Sequence, residues 1–330
     1  MAAIMLLKVL VICLLSSFGS SFHKQFTKSV WKSRMAPLMG IPFVKYQGIG
    51  NDFILVDNGA TGDLCISSEE GKKYCDRNYG VGADGLIFVC PGTNGCDYTM
   101  RMYNADGSEP EMCGNGIRCM ARFIHEVVEK QPKGSEKTYK ISTLAGEIVP
   151  IVKSDGRIVV DMGFPVLESK EVPTTLTPTE KLKEGHAAVN SPVLAGGHEY
   201  AATAVSMGNP HCIIFAEDLD NMVPHAFESL GPMMESHEAF PEKVNAEFVQ
   251  KLTDSHLKMY VWERGAGPTL ACGTGACATV VAGVLTGNCA LDTKVTLPGG
   301  DLDIRWDRDG SGKIFMTGPA EQTFKGEFLD

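Results

Sequence analysis

Met112-Cys113-Gly114-Asn115-Gly116 and Ala271-Cys272-Gly273-Thr274-Gly275 lie 159 positions apart and set out the same local chemistry twice. After the first phrase, Ile117, Met120, Ile124 and Val128 recur every three to four residues. After the second, Ala276, Val280, Val281 and Val284 do the same. Both spacings predict amphipathic helices that begin at the Cys-Gly-x-Gly turn. Before each turn runs a strand-like segment, Tyr98 to Tyr103 in one half and Leu257 to Trp262 in the other. The unit of strand, polar loop, thiol and helix start is therefore used twice. The first turn of a helix leaves backbone N–H groups unpaired at the positive end of the macrodipole. A carboxylate can dock there, and a nearby thiol ionises more readily.

The 330 residues, 44% hydrophobic and 21% charged, describe a soluble globular enzyme of one large or two medium domains. A formal net charge of −10 argues against nucleic acid or an anionic membrane as partner, since both require a basic face. A small-molecule substrate fits better. The charge is unevenly placed. Residues 1–50 hold no Asp or Glu but carry Lys8, Lys24, Lys28, Lys32, Arg34 and Lys45. Removing these six from the 30 basic residues leaves 24 against 40 acidic in 51–330.

Residues 1–39 read as a targeting leader. Ala2 to Leu15 is too short for a membrane span, which needs about 20 apolar residues, and reads as the apolar region of a signal peptide. The acid-free Ser/Lys/Arg stretch from Ser20 to Arg34 then resembles a transit peptide. A signal followed by a transit segment resembles the two-part plastid leader of algae with complex plastids, so the expected destination is the plastid, with secretory and mitochondrial addresses as alternatives. The mature fold is expected to begin near Gly40, with no membrane association.

The eleven cysteines form neither a dense disulfide scaffold nor any CxxC metal knuckle, and no metal is expected. Cys119, Cys212 and Cys277 adjoin motifs but read as packing residues. Phe43 to Tyr46, Phe53 to Val56 and Leu86 to Val89 read as strands, and Ser67-Ser68-Glu69-Glu70 as a helix start. The glycine runs at 48–50 and 80–85 lack the GxGxxG spacing, following helix and ribose-binding acid of a dinucleotide site. Asp307-Arg308-Asp309-Gly310-Ser311-Gly312 resembles a calcium loop, but its twelfth position is Gly318 rather than Glu, so a hairpin turn is expected. Lys170 to Lys183, rich in Pro, Thr and Lys, reads as a surface linker, and Asp106 as a turn residue.

Six phrases together resemble the diaminopimelate epimerase family. They are Gly48-Ile49-Gly50-Asn51-Asp52-Phe53, Tyr103 to Glu109, Cys113 to Cys119, Met207-Gly208-Asn209-Pro210-His211, Asn245 to Val249 and Glu263 to Gly275, and the resemblance runs from about Phe43 to the C-terminus. It implies epimerisation of LL-2,6-diaminoheptanedioate to the meso form in lysine biosynthesis, without a cofactor. Inverting a carbon by proton transfer requires a base on one face and an acid on the other. A thiolate and a thiol can fill those roles, and Cys113 and Cys272 are the expected pair. If both ionised they would repel and leave no acid, so they should titrate as a coupled unit.

The resemblance further implies His211 as proton acceptor for Cys113 and Glu263 for Cys272. It implies Asn51, Asn104, Asn209, Asn245 and Arg264 as substrate-orienting groups, the guanidinium offering a planar fork to a carboxylate. Around Gly114, backbone N–H groups at Asn115, Gly116, Gly273 and Thr274 are expected to grip the α-carboxylate as charge builds on it. Where bacterial members carry Gln after the Asp of the Gly-x-Gly-x-Asp segment, this chain has Gly85.

The implied fold is α+β: two pseudo-symmetric halves, each a mixed sheet wrapped around a central helix, with the active site in the cleft between them. Residues 40–160 plus 318–330 would form the first half and 161–317 the second. Alternatives are a proline or hydroxyproline racemase of similar fold and a cysteine-nucleophile hydrolase in which His211 activates Cys113. The first is disfavoured by the number of polar groups, the second by leaving Cys272 without a task. A homodimer is an open option, for nothing in the sequence signals the oligomeric state.

Overall fold

The computed structural model describes residues 40–59, 63–182 and 185–329; the leader expected at 1–39 lies outside them. The alternating and continuous apolar runs become two large mixed sheets. The seven-stranded sheet has the order Glu321–Phe328, Ile41–Gly48, Asn51–Asp57, Gly85–Pro91, Tyr98–Asn104, Ile141–Thr143, Gly146–Ile148. The twelve-stranded sheet runs Ser191–Ala195, His198–Ser206, Pro210–Phe215, Asn245–Thr253, His256–Glu263, Asp292–Leu297, Gly300–Trp306, Ile314–Gly318, Ile158–Asp161, Ile151–Val152, Lys137–Thr138, with Gly267–Pro268 paired off this path to His256–Glu263. The parallel neighbours Pro210–Phe215 and Asn245–Thr253 are buried over nearly all of their paired stretch, His211–Phe215 against Asn245–Val249, as strands covered on both faces must be. The last strand returns to the first sheet, while residues 137–161 contribute strands to the second.

Two helices start at the paired cysteines, Gly114–Phe123 and Gly273–Leu285. The second is buried almost all round from Gly275 to Gly283, which suits a helix apolar on every face. The first buries Ile117, Cys119, Met120, Ala121 and Phe123 and turns Arg122 outward to an i,i+4 ion pair with Glu126. Each helix packs on its own set of strands, Gly114–Phe123 on Asn51–Asp57, Gly85–Pro91 and Ile158–Asp161 and Gly273–Leu285 on strands within 198–253 and 292–318, and the two helices touch each other where they start. A second cluster, including Val172, Leu176, Phe240 and Phe248, fills the region beside Ser191–Phe215 and the short helices at 219–235.

Ser67 caps the helix Ser68–Cys75 in a reciprocal capping box with Glu70, as the sequence predicts. The Asp307–Gly312 stretch is the expected hairpin turn, with Asp307 Oδ2 accepting from the Ser311 N–H and hydroxyl. The expected surface linker at 170–183 is different: Val172 and Leu176 are buried, and Thr174 and Thr175 are tied to the carbonyl of Ala239. Two apolar residues spaced by four suffice to hold such a strap on the second core, a pattern that its Pro and Lys content masks. Cys119, Cys212 and Cys277 are buried packing residues, as expected. Among the described residues no helix is long and apolar enough to cross a membrane.

Candidate active site

Cys113 and Cys272 are each the N-cap residue of the helix that follows. Both take the extended backbone of a cap (φ −138° and −129°), and each sulfur accepts the N–H of the third helical residue, Gly116 at 3.4 Å and Gly275 at 3.3 Å. A thiol thus stands where Ser, Thr or Asp usually satisfies the orphan N–H groups of a helix start. Both caps open into one cavity of about 880 Å³, which is also lined by Asn51, Asp84, Gly114, Asn115, Asn209, Glu263, Arg264, Gly273 and Thr274.

The sequence-predicted residues divide into those at the cavity wall and those behind it. Cys113, Cys272, Glu263, Asn51, Gly114, Asn115, Asn209, Arg264, Gly273 and Thr274 line it; His211, Asn104, Asn245 and Gly116 do not. Asn104 donates to Ser108 Oγ within its own turn at 3.0 Å. Asn245 is buried, donating to the carbonyl of Pro210 and accepting the N–H of Arg264, so that it ties three chain segments at the cavity floor. Gly116 spends its N–H on the Cys113 sulfur, which makes it a donor to the thiol and not to a substrate carboxylate. Gly85 is buried, and a Cβ there would meet the carbonyl of Tyr103 at 2.8 Å, so the backbone leaves no space for the expected Gln.

His211 stands on the Cys272 side. Its Nδ1 is 2.6 Å from Glu247 Oε1 and its Nε2 3.0 Å from Asn209 Oδ1. The donor atoms of His211, Glu247 and Cys272 lie within 4.8 Å of one another. The pairing expected from resemblance, His211 with Cys113, is therefore not the arrangement of the folded chain. Its cause is topological: the parallel pairing of Pro210–Phe215 with Asn245–Thr253 puts His211 on the face that carries Asn245 and Glu247, under the Cys272 helix. Among the described residues this trio is the one group able to converge on a metal ion. With both imidazole nitrogens already engaged, it reads as a cluster that holds protons.

Glu247 and Arg118 are the functional residues that reading the sequence missed. Both are fully buried, and Glu247 Oε2 and Arg118 Nη2 are the buried side-chain atoms among the described residues with no hydrogen-bond partner. Arg118 heads a chain of hydrogen bonds along the cavity wall. Its Nη1 donates to Asn115 Oδ1, Asn115 to Asn51 Oδ1 and Asn51 to Asp84 Oδ2, and Arg77 closes the chain on Asp84. The signal was there in each case, a charge inside an otherwise buried run: Glu247 in the strand Asn245-Ala246-Glu247-Phe248-Val249 and Arg118 in Ile117-Arg118-Cys119-Met120.

Burial pushes both thiols above the usual value. At Cys113 the backbone N–H groups of Gly116 and Asn115 and the charge of Arg118 oppose the rise, while Glu263 adds to it. Cys272 is held well above the usual range by burial and then by the carboxyls of Glu263 and Glu247, with only the Thr274 hydroxyl and the Gly275 N–H opposing. Burial also raises Glu263, offset in part by a short hydrogen bond from the Thr269 hydroxyl, and raises Glu247 against the pull of His211. Two carboxyls and one imidazole thus stand near the Cys272 thiol, and the Arg118 guanidinium near Cys113, with Glu263 felt by both.

Solved structures share this architecture. A Bacillus anthracis phenazine biosynthesis protein of the PhzF family superposes with a TM-score of 0.61 over 88% of this chain and 99% of its own, at 18% identity. A hydroxyproline epimerase from Agrobacterium vitis, with bound trans-4-hydroxy-L-proline, does so at 0.59 over 88% and 92%, at 12% identity. These likenesses define the class of fold: two α+β halves about a cleft. The family profile described as diaminopimelate epimerase matches residues 43–168 and 203–323. The diaminopimelate epimerase of Acaryochloris marina is 52% identical over 289 residues, spanning 87% of this chain and 98% of that one. The chloroplastic diaminopimelate epimerase of Oryza sativa subsp. japonica is 53% identical over 288 residues, spanning 86% and 79%. The chain belongs to the diaminopimelate epimerase family.

Proposed function

We propose that the chain inverts one α-carbon of 2,6-diaminoheptanedioate, converting the LL to the meso form in lysine biosynthesis, by proton transfer between Cys113 and Cys272. Family membership supports the reaction. The observation that carries the mechanism is that the two thiols cap two helices opening into one cavity. One thiolate takes the α-proton, and the opposite thiol delivers a proton to the other face of the carbanion. In the reverse direction the roles exchange, and at the end of each turnover the charge rests on the other sulfur.

The weakly acidic α-proton demands stabilisation of the charge that builds on the α-carboxylate. Unspent N–H groups in the first turns of the two helices, at Gly273 and Thr274 above all, are suited to bind it. Arg264, exposed at the cavity rim, suits the distal carboxylate, and Asn209 and Asn51 the distal polar groups. Glu263, lining the cavity and acting on both thiols, is the group suited to accept a thiol proton. His211 supports the Cys272 side from beneath. Proton NMR of LL-diaminopimelate with residues 40–330 in heavy water tests the reading, since it reports turnover and α-proton exchange together. An α-signal that persists without exchange or new diastereomer would exclude it.

The plastid is the proposed destination, supported by the acid-free leader composition and by the chloroplastic address of the rice relative. A fluorescent fusion of residues 1–39, expressed in an algal cell with complex plastids, checks this; signal confined to another compartment would reassign it.

A further inference from the structure

We propose that Glu247 sets the resting charge of the thiol pair, keeping Cys272 as the thiol and leaving Cys113 as the thiolate. The inference rests on the two-thiol reading and goes beyond it, since two identical caps give no reason for one sulfur to ionise first.

The difference lies in what faces each sulfur. Around Cys272 stand Glu247 from the strand Asn245–Thr253, Glu263 from His256–Glu263, His211 from Pro210–Phe215, and the Thr274 hydroxyl of its own helix. Around Cys113 stand Arg118 of its own helix and, shared with the other site, Glu263. Removing the shared group leaves Arg118 against Glu247 and His211. These two charged residues are also the ones whose buried atoms go unpartnered, Nη2 under one helix and Oε2 under the other. An unpartnered buried charge is costly and invites a compensating one nearby. A thiolate at Cys113 compensates Arg118, whereas a thiolate at Cys272 would add a second negative charge beside Glu247.

Glu247 is a positioning residue in this scheme, for it does not line the cavity. It acts on Cys272 directly, within 4.8 Å, and through His211, whose Nδ1 it holds at 2.6 Å while Asn209 takes Nε2. Its close approach is built in: a Cβ at Gly275 would meet Glu247 Oε1 at 2.7 Å, so the second glycine of the turn admits the carboxyl beneath the helix start.

The test measures alkylation of each thiol by iodoacetamide against pH, by mass spectrometry of the separated Cys113 and Cys272 peptides. Midpoints are compared rather than rates, because the two sulfurs differ in exposure. In the unaltered protein Cys113 should titrate at lower pH than Cys272; the reverse order would overturn the proposal without any variant. Glu247→Gln should move the Cys272 midpoint down by about one pH unit, which makes its alkylation about tenfold faster at neutral pH, with the Cys113 midpoint unmoved. The basic limb of kcat/KM should move down with it. Glu247→Asp should restore the original midpoint. A Cys272 midpoint that stays put in Glu247→Gln, or moves together with that of Cys113, would refute the assignment. Epimerisation by the Cys113→Ala or Cys272→Ala control would instead refute the two-thiol reading, so the two failures are distinguishable.

Discussion

Cys113 and Cys272 occupy the same position in the same turn, with the same backbone angles to within about ten degrees and the same N–H donor three residues on, yet the charges around them differ: Arg118 stands by Cys113 and Glu247 by Cys272, with Glu263 common to both. The Cys113 helix brings its counter-charge along in its own sequence, as Arg118. The Cys272 helix carries no charged residue, and the ionisable groups near its thiol arrive from neighbouring strands as Glu247, Glu263 and His211. Duplication of a local motif therefore supplies the two faces that an inversion needs. The framework around it supplies the asymmetry that stops both thiols from being in the same protonation state.

The largest expected effect tests whether the two sites are equivalent in need. Cys113→Ala and Cys272→Ala should each remove epimerisation, by about four orders of magnitude at the upper end of general acid–base contributions, while circular dichroism shows an intact fold. An alanine variant within tenfold of the parent by NMR turnover would show that one face suffices.

Next in size is a contrast between matching glycines. A Cβ at position 275 would lie 2.7 Å from Glu247 Oε1 and 3.1 Å from Cys272 Sγ, both held in a buried cluster. At position 116 the nearest atom is the end of Ile87, a flexible methyl, at 3.0 Å. Gly275→Ala should lower kcat about a hundredfold and reduce thermal stability by about 2 kcal/mol, whereas Gly116→Ala should cost about 1 kcal/mol. Equal losses in a side-by-side melt and rate assay would mean that the carboxyl beneath the Cys272 helix is free to move aside.

Smaller again is the effect of the guanidinium. Arg118→Met removes the charge that opposes the rise of the Cys113 thiol, so a higher pH is needed to form the thiolate. At pH 7 kcat/KM should fall about tenfold, corresponding to one pH unit, and recover as the pH is raised through 8 to 9. A uniform loss across that range would assign Arg118 a packing role through Asn115 and the carbonyl of Pro319 instead.

Much of this was legible in the sequence because it is local. The caps, the helix period after each cysteine and the Gly-Asn-Pro-His strand entry depend on neighbours a few residues away, and the structure keeps them. The partners of the thiols depend on sheet register. Nothing local tells that His211 pairs across to Asn245 and so lies two positions from Glu247 on the same face, or that this face lies under the Cys272 helix. Asn104 and Asn245 show the converse: their phrases mark polar residues but not the contacts they make in the fold, where Asn104 closes a turn on Ser108 and Asn245 ties Pro210 to Arg264.

The smallest effect concerns Glu263, the group the two sites share. Burial raises its carboxyl, and the hydrogen bond from the Thr269 hydroxyl is the chief influence pulling it back. As a proton acceptor Glu263 must be ionised, so activity is lost as the pH falls through its pKa. Thr269→Val keeps the shape but removes the hydrogen bond, which leaves the ionised form less stable and the pKa higher. The acid limb of kcat/KM should therefore move to higher pH. A hydrogen bond to a charged group contributes about 1.5–3 kcal/mol when buried. Glu263 is part-exposed at the cavity wall, so the shift should be smaller, about half a pH unit, with the rate at pH 8 nearly unchanged. Because Glu263 acts on both thiols, the shift should appear equally with LL and meso substrate. An acid limb that does not move would remove Glu263 from the proton path and leave the Cys113 side without a carboxylate acceptor.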